Sequence, residues 1–342
     1  MISDGYTSRI GFIVRRVLLL IPVMLGVTFI TFLLSFVTVP NVARAWAGER
    51  ATPGALAALS ARFHLHDPIY VQYYYYLSNL LSGHWGVVPS SGRPVLSDIQ
   101  LFFPATLELS LTSLFIAIIM GIPLGVIAAM FHDRKVDHAI RLFYLGSYSS
   151  PPFFVALLMI YVFGYLLKIF PTQGELSPIL SFPTRITGMV IVDSLLTANW
   201  PVFFDAVWHI ILPATALSLL YFGVITRVTR ASLLEVFQKD FIRAAFAKGL
   251  AKRTVIFKHG LRNALISTVT VLGLLLGSLF GGSVVIETIF QWPGLGLYAE
   301  QSILSYDFPS VMGFTVLVTL GVVVANLIAD ILYGILDPRI KV

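Results

Sequence analysis

The sequence predicts an all-α polytopic membrane protein with six transmembrane helices, and three observations lead there. Apolar residues make up 57% of the 342-residue chain and charged residues only 12%, with a mean hydropathy of +0.86. A soluble domain is nearer roughly 45–50% apolar and about 25% charged, so a surface this poor in polar groups needs lipid as its solvent. Six runs, approximately 13–38, 104–130, 142–168, 207–228, 264–286 and 311–336, each reach the roughly 20 apolar residues that cross a bilayer core. Lys and Arg divide unevenly between the two sets of connecting segments, 17 against 6. That asymmetry predicts that both termini and the 229–263 segment are cytoplasmic.

The first run, Ile10 to Val39, has Arg15 and Arg16 near its start and no small-residue cleavage site after it. It is about twice the length of a signal-peptide core and reads as a retained span. The external segment from about 39 to 103 carries two amphipathic pieces, 54–63 and 68–82, the second opening at Asp67-Pro68. It is either a small cap on the bundle or a docking surface for an external partner. His64, His66 and His84 lie in it as solvated or metal-binding residues, and Tyr73 to Tyr76 form an interfacial belt or a ligand box. The second span carries Glu108, Gly121 and Gly125. The third is interrupted early by Ser147 to Pro152. From about 169 to 206, Pro171, Pro178, Pro183 and Pro201 predict a mostly irregular loop. In the fifth span Gly273, Gly277 and Gly281 share one face, for close helix packing or for lining a pathway, and Gly281-Gly282 loosens its end. Asp330 in the sixth span follows Asn326 by four residues, a spacing for an interhelical polar contact. The chain divides into an N-terminal span with its external loop (1–103), a transmembrane core (104–336) and a short tail (337–342).

Several function classes drop out. Without cysteine there is no thiol catalysis, disulfide or Cys-ligated metal. No Gly-x-x-x-x-Gly-Lys-Ser/Thr occurs, so the chain has no phosphate-cradling loop of that type. The net charge of +6 is accounted for by cytoplasmic loops, not by nucleic-acid binding. No nucleophile triad, paired catalytic carboxylates or metal-ligand set stands out. A secondary transporter remains the alternative of a different class, but acidic groups near the midplane, which ion-coupled carriers need, are scarce.

The cytoplasmic segment 239–263 stands apart. Asp240 suits a helix N-cap. Phe241, Ala244, Ala245 and Lys248 then fall on one side of a short helix, and Gly249 allows the left-handed turn that ends it. A second helix, about 252–262 with His259 and Arg262, leads into span five. Ala244-Ala245, three residues, Gly249, then nine residues before His259-Gly260-Leu261 resembles the coupling loop of ABC importer permeases. Arg243-Ala-Ala-Phe-Ala-Lys-Gly249 and His259-Gly-Leu-Arg-Asn-Ala-Leu265 are similar to its dipeptide/oligopeptide (and nickel) branch, although Arg243 stands where the wider family has Glu and Ser267 where that branch has Pro. Ile21-Pro-Val-Met-Leu-Gly-Val-Thr28, Pro104-Ala-Thr-Leu-Glu-Leu109, Gly121-Ile-Pro-Leu-Gly-Val126 and Glu287-Thr-Ile-Phe-Gln-Trp-Pro-Gly-Leu-Gly296 extend the likeness along the chain.

The resemblance implies a type I importer transmembrane domain that is itself no enzyme and binds no cofactor. ATP and Mg would be held by two separate ABC ATPase subunits, with a second homologous permease beside the chain and an extracytoplasmic solute-binding protein above. The implied substrate is a di- or oligopeptide, with short oligosaccharides or nickel as alternatives. The turn Gln291 to Gly296, including Trp292, Pro293 and Gly294, is either a tight connection between spans five and six or an external gate. Trp292 is of a type suited to the membrane interface.

Overall fold

A computed structural model describes residues 4–37, 43–44, 51–62, 64–88 and 91–336. The regular elements are helical throughout, apart from one isolated antiparallel bridge between Val87 and Pro94. In chain order they are α1 (Asp4–Val37), α2 (Pro53–Arg62), α3 (Ile69–Leu81), α4 (Val95–Met130), α5 (Lys135–Ser149), α6 (Pro152–Met159), α7 (Val190–Leu196), α8 (Trp200–Phe237), α9 (Asp240–Ala247), α10 (Arg262–Phe290), α11 (Leu295–Leu304) and α12 (Phe308–Leu336). Two stretches are π-helical: Ile160–Leu166 prolongs α6, and Val255–Leu261 leads into α10.

Four helical segments are long and apolar enough to cross a membrane: Val95–Met130, Trp200–Phe237, Lys252–Gly277 and Phe308–Ala329. The segment Leu18–Leu34 of α1 is apolar as well. The third expected span, 142–168, is not one helix. It is the pair α5–α6 bent by 108°, because Pro151 and Pro152 supply no N–H and Ser150 is extended (φ −81°, ψ 133°). Two further expectations change. Residues 295–304, which had been left to a connection, form α11. The boundary at 103 falls inside α4, which runs unbroken past Pro104. The tail 337–342 and the side chain of Asp330 lie outside the described residues.

The core is built where small residues let helices close up. A Cβ on Gly121 would sit 2.8 Å from Ile225, and one on Gly125 2.7 Å from Thr229, so α4 and α8 cross in near-backbone contact. Around that crossing Leu109, Leu217, Phe222, Ile225, Ile286 and Phe290 are fully enclosed. α10 packs on α8 and α12, and α1 lies against α12. α3 lies along the C-terminal half of α1. The Tyr73 hydroxyl donates to the Leu25 carbonyl (2.9 Å), and its ring meets Phe29 edge-on at 5.1 Å.

Candidate functional site

The segment 239–263 is positioned by the ends of three helices. α9 begins one residue earlier than a cap at Asp240 would place it. Lys239 is the N-cap (φ −74°, ψ 147°), and Asp240 is the first helical residue. There its carboxylate faces the helix N-terminus favourably and meets Arg243 at 3.5 Å. At the other end Gly249 is left-handed (φ 76°). Its N–H reaches the Phe246 carbonyl at 2.9 Å and that of Leu250 reaches Ala245 at 3.3 Å, the pair of bonds of a Schellman turn.

The faces of α9 divide differently from the sequence grouping. Ile242 and Ala245 are buried and pack with Val255 and Val236. Phe241 and Phe246 remain 45% and 47% exposed, with Ala244 and Lys248 also open to solvent. Ala245 thus anchors α9 to its own chain, and Phe241, Ala244 and Phe246 form the outward surface. Behind it, the π-helical stretch is clamped against α8. A Cβ on Gly260 would come within 3.0 Å of Phe237. His259 is half-buried, its carbonyl accepting from Asn263 at 2.7 Å, and Arg262 is exposed. Nearby, Asp137 is fully buried and takes both oxygens of its carboxylate to Arg230 at 2.7 Å, tying the start of α5 to α8. The sequence offered no sign of that pair beyond the charges themselves.

The turn from Gln291 to Gly296 is a buried knot. Gln291 is left-handed (φ 48°) and ends α10. Trp292 is 1% exposed and donates its indole N–H to the Ala105 carbonyl at 2.9 Å. It therefore sits in the packed core of the chain and not on its surface. Pro293 is half-buried. Gly294 caps α11, and a side chain there would collide with Glu287 and Thr106. Glu287 is the residue sequence reasoning missed as a buried charge. Its carboxylate accepts from Thr106 (2.9 Å) and from the amides of Gly296 (2.6 Å) and Leu297 (3.3 Å) at the start of α11. Glu108 does the same for α7, accepting from Val190 (3.1 Å) and Ile191 (2.8 Å).

Of the fifth-span glycines, two are spent on packing. A Cβ on Gly273 would lie 2.7 Å from Ala329, and one on Gly277 3.1 Å from Asn326, both on α12. Gly281 faces open space. His64 and His84 are used separately. His64 pairs with Asp67 (2.7 Å) and stacks on Tyr75, and His84 meets Ser82. One trio among the described residues has metal-ligand spacing, His132, Asp133 and Asp137. There the Asp137 oxygens are already engaged by Arg230.

The short amphipathic helix α9 thus lies between the ends of α8 and α10 on a helical bundle. Family comparison decides the matter: residues 121–342 match the family described as "Binding-protein-dependent transport system inner membrane component", and residues 9–110 match its N-terminal region. The chain belongs to this family. As a binding-protein-dependent transport component it is a multi-pass inner-membrane part of a transport system. Among curated relatives it is 42% identical over 321 residues to the probable D,D-dipeptide transport system permease protein DdpB of Escherichia coli (strain K12), covering 94% of each chain. It is 40% identical over 333 residues to the di/tripeptide transport system permease protein DppB of Pseudomonas aeruginosa (97% of this chain, 99% of the relative). It is 37% identical over 332 residues to the oligopeptide transport system permease protein AppB of Bacillus subtilis, with the same coverage.

Proposed function

We propose that this transport component forms one half of the translocation path for di- or oligopeptides in an ATP-driven importer, with its termini in the cytoplasm. The relatives' peptide permease names support the substrate class. The observation that carries the mechanical role is the presentation of α9. Its inward residues lock it to α8 and to the lead-in of α10, and its outward face carries two phenylalanines, Phe241 and Phe246, about half exposed. Apolar side chains held rigidly on an exposed cytoplasmic helix are what a separate motor can grip. The chain lacks a phosphate-binding loop, so hydrolysis belongs to other polypeptides.

In this reading two ATPase subunits hold ATP and Mg, a second homologous permease completes the path, and an extracytoplasmic binding protein delivers the peptide. ATP-driven closure of the ATPase pair displaces α9, and the clamp at Gly260 passes the displacement to α8 and α10. The bundle then opens outward to receive the peptide, and reopening after hydrolysis releases it inside. The test is co-purification of the ATPases with tagged chain. Phe241→Ala combined with Phe246→Ala removes the outward surface, so the ATPases are lost while the variant's melting temperature is retained. Full recovery of the ATPases with that variant would contradict the assignment.

A further inference from the structure

The break in the third span lies deep within the bundle. α5 climbs antiparallel along α8: Asp137 pairs with Arg230 near the inner end, and Ser147 donates its hydroxyl to the Leu219 carbonyl at 2.7 Å. Leu219 is close to the middle of α8 (Trp200–Phe237) and of its apolar stretch 207–228. The chain then turns by 108° into α6. At that depth the carbonyls of Ser147 and Tyr148 would need N–H donors from residues 151 and 152, which are both proline. Among the described residues no hydrogen bond closes on either carbonyl. Tyr148 is 64% exposed, and Ser149 and Pro151 are exposed beside it.

Hydrocarbon cannot satisfy free carbonyls, and irregular backbone at membrane depth is tolerated where it is buried in protein or lines an aqueous cavity. A second observation favours the cavity. Tyr148 and Gly223 line a small recess that ends on Arg227. Arg227 is exposed and has no ion-pair partner among the described residues. A guanidinium there needs water or an anion.

We infer that the broken third span, from Ser147 to Pro152, lines the translocation path and binds the peptide backbone. The Ser147 and Tyr148 carbonyls accept from the peptide's ammonium or amide N–H groups, and Arg227, lower on the same surface, attracts its carboxylate. Broken helices at the midplane serve transporters in this way, because their freed backbone groups replace hydration of the cargo. The inference rests on the importer reading above and gives that path a substrate-facing wall.

The chain has no cysteine, so Ser149→Cys in the assembled complex gives a single reporter. In nucleotide-free inside-out vesicles a charged, membrane-impermeant methanethiosulfonate modifies that thiol, and millimolar dialanine slows the reaction several-fold. Modification only by a lipid-soluble maleimide would place the break against lipid, and modification by neither reagent would place it under the second permease. Either result overturns the inference. ATPase recovery with the wild-type chain tests the importer reading separately, so the two failures are distinct. A second variant, Pro151→Ala with Pro152→Ala, restores both donors and heals the helix. It lowers peptide uptake at least roughly ten-fold, the scale of a lost positioning contact, without lowering the melting temperature. Unchanged uptake by that variant would also count against the inference.

Discussion

At Trp292 the indole is enclosed on all sides and donates to Ala105, so removing it leaves a cavity and loses a buried hydrogen bond. Trp292→Ala is expected to cost about 3–5 kcal/mol, seen as a fall in melting temperature and in recovery of intact protein. Trp292→Phe keeps most of the volume and loses mainly the hydrogen bond, about 1 kcal/mol. A stable Trp292→Ala protein with raised basal ATP hydrolysis in the complex would instead support a gate in which the indole is a plug. Glu175, in the external loop, makes a pH prediction. Burial, and then the nearby Glu108 carboxylate, push its pKa up from the ordinary 4.5 to about 8, with Arg185 pulling the other way. The folded loop therefore holds a proton that the unfolded loop releases. Loop stability is greatest below about 4.5 and declines as pH rises towards about 8. Hydrogen exchange of amides 170–189 should quicken over that window beyond its intrinsic pH dependence, and Glu175→Gln should flatten the trend. An unaltered trend in Glu175→Gln would remove Glu175 as its source. None of these surroundings was legible residue by residue. Trp292 has an interface-loving side chain, and Glu287 stands as one letter of a motif until α11 folds its N-terminus back onto it.

Among the elements, α9 separates what pattern can and cannot tell. The helix, its stop at Gly249 and the second helix from 252 all follow from spacing and turn chemistry. Which face is buried does not, because alanine suits either environment. Ala245 lies against Val255 and Val236 and Ala244 does not. Ala245→Trp therefore overpacks the anchor, at about 1–3 kcal/mol, and lowers the melting temperature. Ala244→Trp leaves stability intact and obstructs the partner surface. Equal melting temperatures for the two variants would show that α9 is not docked as described. The third span failed as a single helix for a similar reason. Hydropathy counts residues and cannot see that two successive prolines leave Ser147 and Tyr148 without donors. The break itself was visible at Ser147–Pro152, but the 108° turn was not. α11 was missed because ten amphipathic residues between two spans carry no length signal.

At the scale of the whole molecule, bilayer physics made the architecture legible. The apolar runs, the 17 to 6 charge split and the missing phosphate loop follow from composition and order alone. The packing partners of the fifth-span glycines needed three dimensions. Gly273 and Gly277 are against α12, and of the three only Gly281 faces open space. The bundle exposes broad apolar faces, and Phe241 and Phe246 of α9 lie open beside them. The central claim is that transport needs the assembled importer and its ATP. The direct measurement is uptake of a labelled dipeptide into proteoliposomes. One set contains this chain alone, and the other contains it with the second permease, both ATPases and the binding protein. The account predicts ATP-dependent accumulation by the full assembly and none by the chain alone, under a proton or sodium gradient as well. Gradient-driven uptake by the isolated chain would contradict it.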